Sequence, residues 1–196
     1  EAPKRRDHPS ARDESPVIVY KIGGSLLTLA DLPRRIEAVL ALRPHGRPLV
    51  IAGGGAAGDV VRHWDEVHGL GEERSHRLAL KSMRLNEALL LELLPRAIEV
   101  RTREEALAAW DSERLPILAA ADFLEAEQCD LPHRWDVTSD SIAAWIAARW
   151  PADELALVKS VPYPEERDPV TASQRGLVDP HFPKVAVDGP HTSWIN

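Results

Sequence analysis

The sequence predicts an α/β layered fold with a mainly parallel central sheet. Strand-like and helix-like patterns alternate along most of its 196 residues, which is the signature of that class. The strand segments are nearly continuous apolar runs, as in strands covered on both faces. Two of them, VYKIGG and LVIAGGG, end in glycine clusters that lead into helical patterns.

The elements follow in order. Residues 1–15, EAPKRRDHPSARDES, are polar, charged and proline-containing. They have the basic start of a signal peptide but no apolar stretch after it, so a disordered leader is expected. Residues 16–196 are expected to form one domain. Val17–Ile22 is the first strand. Asp31 can cap a helix with Leu32, Ile36, Val39 and Leu40 on one face, and Gly46 marks its end. Leu49–Ala52 is the second strand. A helix over 56–67 follows, with Val60, Val61, Trp64 and Val67 on its expected buried side, and Gly69 and Gly71 break it.

A longer helix over 72–94 places His76 with Ala79, Leu80 and Met83 on one face, the pattern of a core or interface histidine. The stripe Arg77, Lys81, Arg84 reads as a solvated face. Next come a short strand over 97–100, a helix opened by the capping-box pair Thr102 and Glu105, a strand over 115–119 and a short helix over 122–127. The helix over 138–150 carries Ile142, Trp145, Ile146 and Arg149 on one face. A strand over 155–160 is the last clear parallel one. Six of the sixteen prolines lie between Pro162 and Pro190, so an irregular segment is expected there, with one strand near 185–187.

Composition narrows the function. A net charge of −7 argues against a sequence-independent grip on nucleic acid. The apolar runs are far shorter than the ~20 residues that span a bilayer. The single cysteine, Cys129, suits a reducing cytosol, and a cytoplasmic location is expected. The eight histidines show no zinc-ligand spacing, and the Gly-x-Ser-x-Gly hydrolase elbow is absent.

The glycine clusters carry the chemistry. In open α/β sheets ligands bind beyond the carboxyl ends of the strands, where both clusters fall. Lys21 is the second-to-last residue of its strand, and Gly23, Gly24 and Ser25 follow it. A lysine plus consecutive N–H donors suits a polyphosphate. The loop lacks Walker A spacing, and GGGAAG, residues 53–58, meets the G-x-G-x-x-G frame without the acidic residue that usually follows. Two tight turns without a ligand remain the alternative for either loop taken alone. Arg62, early in the next helix, suits a carboxylate or phosphate and equally suits a solvated face. Asp140 fits a helix N-terminus, and Lys159 ends a strand on the same edge.

VYKIGGSLL, LVIAGGGAAGDVVR, WDVTSDSIAAWIA and ALVKSV, in this order, resemble the amino acid kinase superfamily. The resemblance covers about Val17 to Val161 and implies a three-layer αβα sandwich. It implies an acceptor half over about 16–135 and a nucleotide half over about 136–196. The first loop, Gly23, Gly24 and Ser25, then holds the transferring phosphoryl group, and the second, Gly53, Gly54 and Gly55, holds the acceptor with Arg62. Lys21 neutralises the phosphoryl group in flight, Asp140 organises the lysines, and Lys159 contacts nucleotide. The Asp-Gly that follows this last lysine in uridylate kinases is replaced by Ser160-Val161. Many members have a second phosphoryl-contacting lysine near the C-terminus; GLVDPHFPK, residues 176–184, is the only stretch that could stand in with Lys184, and its spacing differs from theirs.

The implied activity is transfer of the γ-phosphoryl group of ATP, with Mg²⁺, to an acidic group of a small metabolite. The absence of an evident general base fits an acceptor already ionised at neutral pH. Among subfamilies the chain looks most like the small-molecule phosphate kinases, including the one of methanofuran biosynthesis. That implies a diphosphate product, one-carbon cofactor synthesis and, as in related kinases, a homo-oligomer. A carboxylate acceptor is the alternative, as is a non-catalytic nucleotide- or anion-binding subunit. A third reading places Trp145 and Trp150 at a subunit interface.

Overall fold

The computed structural model describes residues 15–163, 165 and 168–196. The leader expected over 1–15 lies outside the described residues except for Ser15. Six strands form one all-parallel sheet: β1 (Val17–Ile22), β2 (Arg47–Ala52), β3 (Ala97–Val100), β4 (Leu115–Leu118), β5 (Glu154–Val158) and β6 (His191–Ile195). Their spatial order is β3-β4-β2-β1-β5-β6. The helices are α1 (Leu32–Leu40), α2 (Gly55–His68), α3 (Glu72–Leu93), α4 (Arg103–Asp111), α5 (Ala120–Ala126), α6 (Ser139–Arg149), α7 (Pro169–Gln174) and α8 (Phe182–Ala186), with a 3-10 turn over Gly24–Thr28.

Side chains alternate between sheet faces with a period of two. Ile18, Tyr20 and Ile22 of β1 join Leu32 and Ile36 of α1 and Leu90 of α3 in one core. Val19 joins Ile142 and Ile146 of α6 in the other. The same alternation sends Lys21 to the α6 side. In β5 it sends Leu155 and Leu157 there, and the next residue of that phase is Lys159. Register aligns the strand ends, with Ile22 opposite both Ala52 of β2 and Val158 of β5. The two glycine loops and Lys159 therefore emerge side by side.

Several expectations are corrected. The segment near 185–187 is not a strand: Phe182–Ala186 is helical, with a proline in its first turn, where a fixed φ and a missing N–H cost nothing. The last strand is instead β6, which pairs in parallel with β5. Its sequence HTSWI is polar and half-buried, as befits a strand at the end of the sheet order, and it lacks the continuous apolar run of a central strand. On α2, Val61 is buried, but Val60, Trp64 and Val67 are exposed. The helix instead turns Gly58 and Val61 inward, and Gly58 lies close to Ser82 of α3.

Arg84 is not a free surface cation. It pairs with Glu99 at 3.0 Å and approaches the buried Glu87 at 3.6 Å. Trp145 and Trp150 are both buried in the core, where Trp145 donates to Asp130 at 2.7 Å. Arg149 is exposed and stacks 5.0 Å over the Trp145 ring. Asp31 occupies the N-cap of α1 without capping it; its carboxylate pairs with Arg34 and Arg35. The Thr102 cap forms as expected, accepting the Glu105 N–H at 3.2 Å.

Candidate active site

The backbones of the two glycine loops are tied to the sheet and to each other. Gly23 N–H donates to Val158 O at 2.8 Å, and Gly53 N–H donates to Ile22 O at 2.9 Å. A Cβ at Gly24 would lie 2.2 Å from the Gly55 nitrogen, and Gly55 itself has φ +49°. No side chain fits between these loops. Asn86 of α3 clamps the second one, its amide donating to Gly53 O at 2.6 Å and Gly54 O at 2.8 Å. Ser25 of the first loop shares a 2.9 Å hydrogen bond with Ser160 beyond β5.

Beneath the first loop lies a buried charge cluster. Lys21 Nζ is 2.8 Å from Asp140 Oδ1, and Lys159 Nζ is 2.8 Å from Asp140 Oδ2. The three side chains are only 4, 11 and 7% exposed for Lys21, Lys159 and Asp140. Lys159 also donates to Leu177 O at 2.8 Å and sits 5.6 Å over the Trp194 ring. Burial pushes Asp140 upward, but the two ammonium groups outweigh it and hold the carboxyl below its usual range. Burial, then repulsion from Lys21, lowers Lys159 to about 8 against the opposing pull of Asp140. Two ammonium groups share one carboxylate. With both lysines protonated, the cluster carries one positive charge beyond neutrality, and an incoming anion relieves it.

Asp140 sits in the first turn of α6, which is set by a residue 39 positions later (179 − 140). Asp179 accepts the Thr138 and Ser141 N–H groups at 3.1 and 2.9 Å and the Thr138 hydroxyl at 2.9 Å. Its other oxygen accepts the Ser141 hydroxyl and the N–H groups of His181 and Phe182. One buried carboxylate thus fixes the start of α6 and the entry to α8. Lys184, by contrast, is exposed on α8, and no hydrogen bond or ion pair joins it to the cluster among the described residues.

A cavity of about 240 Å³ adjoins the second loop between α2, α3 and the start of α6. Arg62 lines it, bonded to Asp59 at 2.9 Å and stacked 5.1 Å over Trp135. Trp135 is anchored by its indole N–H to Asp65 at 2.8 Å. Arg134, also in the wall, makes two bonds to Asp136 at 3.0 and 2.8 Å. The α3 face predicted from sequence, His76, Ala79, Leu80 and Met83, forms another wall.

A model of the amino acid kinase family matches residues 16–166. The chain belongs to the amino acid kinase family. It is 27% identical over 144 residues to the [5-(aminomethyl)furan-3-yl]methyl phosphate kinase of Methanocaldococcus jannaschii, a match that covers 73% of this chain and 65% of that relative. Solved amino acid kinase-like structures share the fold. The uridylate kinase of Archaeoglobus fulgidus aligns with a TM-score of 0.61 at 17% identity, covering 92% of this chain and 90% of that one. The UMP kinase of Ureaplasma parvum gives 0.60 at 16%, over 93% and 90%. The aspartate kinase of Synechocystis gives 0.62 at 14%, over 92% of this chain and 38% of the other.

Of the residues singled out from sequence, Lys21, Asp140 and Lys159 meet in one cluster. Gly23, Gly24 and Ser25 lie beside it; Gly24 and Ser25 of the first loop, Gly54 and Gly55 of the second, and Arg62 line the cavity, whereas Gly53 does not. Asn86 and Asp179 were not anticipated. The signal for Asp179 lay in Thr138-Ser-Asp-Ser141, a helix start whose third position lacks the Glu or Gln of a capping box, so the acceptor had to come from elsewhere.

Proposed function

We propose that this amino acid kinase family member transfers the γ-phosphoryl group of ATP to a phosphate monoester of a small metabolite, giving a diphosphate. The observation that carries the reading is the buried Lys21–Asp140–Lys159 cluster, positively charged beyond neutrality and placed where the two glycine loops meet. The residues fit a polyphosphate: two lysines and glycine backbone that nothing else can occupy. Mg²⁺, where bound with the nucleotide, would supply neutralisation of phosphate charge; among the described residues no group of three or more His, Cys, Asp or Glu is gathered to hold a metal, so the ion's protein ligands are not assigned.

In this reading Lys21 and Lys159 stabilise the charge that spreads over the phosphoryl oxygens as it passes between loops. Asp140 keeps both ammonium groups in position. The acceptor oxygen forms the new P–O bond as the bond to the β-phosphate breaks and ADP leaves. A phosphate acceptor is ionised at neutral pH and needs no base. Asp59, the carboxylate in the cavity wall, is already engaged by Arg62. The cavity, at about 240 Å³, falls below the ~300–1,000 Å³ of pockets for drug-sized ligands, which favours a small acceptor over a nucleotide.

The named relative acts on a furan-methyl phosphate, which supports the phosphate class and, by extension, a place in methanofuran-type one-carbon cofactor synthesis. The test is ADP release from MgATP with [5-(aminomethyl)furan-3-yl]methyl phosphate, compared with UMP, aspartate and N-acetylglutamate. Turnover with the furan phosphate and formation of its diphosphate are expected. Turnover with only the carboxylates would overturn the acceptor class.

A further inference from the structure

Two polar side chains in the cavity wall, Ser139 and His76, have no hydrogen-bond partner among the described residues, and Ser139 lies at the second glycine loop, 3.3 Å from where a Cβ on Gly53 would sit. His76 is 8% exposed, lines the cavity and makes a ring contact only, stacking on His133 with centroids 4.5 Å apart and planes 11° from parallel. His133 is itself held by Glu73, 2.9 Å from its Nδ1. A carboxylate accepts there, so that nitrogen of His133 carries the proton. The other charged groups in the wall are satisfied, Arg62 by Asp59 and Arg134 by Asp136. Away from the glycine loops, the His76 ring is what remains to be filled.

Its position along α3 says what part of a ligand it meets. Ser82 lies against the second loop, 3.7 Å from where a Cβ on Gly54 or Gly58 would sit. His76 is six residues earlier on the same helix, ~9 Å away along the axis. It therefore closes the end of the cavity remote from the glycine loops. Burial, reinforced by His133 against the opposing influence of Glu73, lowers its pKa, so the ring is neutral at pH 7 and keeps a lone pair.

We propose that the His76 imidazole determines acceptor specificity, receiving a hydrogen bond from an ammonium group at the end of the acceptor remote from its phosphate. The proposal rests on the phosphate-acceptor reading above. A neutral ring suits a cationic donor, because a charge-assisted hydrogen bond forms without two positive charges meeting. A molecule that spans the ~9 Å from loop to imidazole and ends in an amine satisfies both ends of the cavity.

The test uses two probes, [5-(aminomethyl)furan-3-yl]methyl phosphate and (5-methylfuran-3-yl)methyl phosphate, which differ in the amine alone. The wild-type protein is expected to show the lower KM for the amine. His76→Phe keeps the stack on His133 but offers no lone pair. It is expected to raise KM for the amine probe by roughly ten- to a hundredfold, with much smaller changes in kcat and in KM for the methyl probe. His76→Gln, which restores an acceptor, recovers part of the loss. If His76→Phe does not fold, His76→Ala carries the same comparison.

Equal KM rises for both probes, a loss confined to kcat, or a glutamine variant no better than phenylalanine would overturn the proposal. Wild-type protein that turns over both probes with one KM overturns it while leaving the phosphate-acceptor reading in place. Wild-type protein that turns over neither removes both.

Discussion

The two glycine loops leave adjacent strands in the same direction, yet they are built for opposite tasks. The first covers two buried ammonium groups that share one carboxylate, so its electrostatics favour an anion whatever else that anion carries. The second borders a cavity in which Arg62 and Arg134 are each engaged by an aspartate, and it is shaped by Asn86 from behind. Net charge recruits on one side. On the other, shape and the open His76 imidazole are proposed to discriminate. Under the proposed function, this contrast would separate the rate of transfer, set at the lysine cluster, from acceptor choice, set at the cavity.

The largest expected effect breaks the first half of that contrast. Lys21→Ala should lower kcat by roughly 10²–10³, the usual loss on removing one preorganised charge-stabilising group, with a far smaller change in acceptor KM. Steady-state kinetics in both substrates read the split; a loss confined to acceptor KM would merge the two sites.

Asp140→Asn attacks the same cluster from the opposite sign. It leaves two buried ammonium groups without their carboxylate, a loss on the order of 3–5 kcal/mol. Thermal unfolding should fall by roughly 6–20 °C, and added phosphate or ATP should restore part of it. An unchanged midpoint would show that the lysines do not depend on Asp140.

Asn86→Ala sharpens the second half. Releasing the Gly53 and Gly54 carbonyls should cost about 1–3 kcal/mol and raise acceptor KM more than ATP KM. Equal effects on both would mean that the loops move as one.

The pH dependence gives smaller effects. The proposed transfer requires the protonated form of Lys159, whose folded value is lowered to about 8. Activity should therefore fall as pH rises through about 8, and Lys159→Arg, which keeps its charge, should abolish that limb at a lower overall rate. Glu87 reports on stability instead. It is buried, and burial pushes its carboxyl up to about 7 despite the Ala120 N–H and Arg84. The folded state thus binds this proton more tightly than the unfolded one. Its penalty is absent below the ordinary carboxylate value, grows as pH rises, and levels off above about 7 at an order of 3 kcal/mol. Glu87→Gln should flatten that part of the stability profile between pH 5 and 8.

Much of the lysine–aspartate cluster was legible, its positions from local pattern and its grouping from the family resemblance. Lys21 and Lys159 end strands whose β-branched or leucine-rich runs are unmistakable, and period-two alternation sends both to the α6 face. Asp140 lies in a recognisable helix start. What was missed depends on packing between distant segments. Asn86 looks like an ordinary polar residue in a long helix until the second loop is laid against it. Asp179 serves a helix start some forty residues before it. On α2 the stripe Val60, Trp64, Val67 predicted a buried side, but small Gly58 permits close approach by α3 on another face. For His76 the buried face was read correctly, with Met83 and Leu80 at the core, but the cavity this face also lines could not be seen from periodicity. Lys184, placed by family resemblance alone, stays apart from the lysine cluster.

The most direct measurement is thermal unfolding with and without Mg²⁺ and a non-hydrolysable ATP analogue, in the wild type and in Lys21→Ala. At about 100 times Kd, binding adds about 2.7 kcal/mol, which raises the midpoint of a chain this size by roughly 5–11 °C. That rise is expected in the wild type and its loss in the variant. No rise at millimolar nucleotide, or the same rise in both proteins, would contradict a donor site centred on the buried lysines.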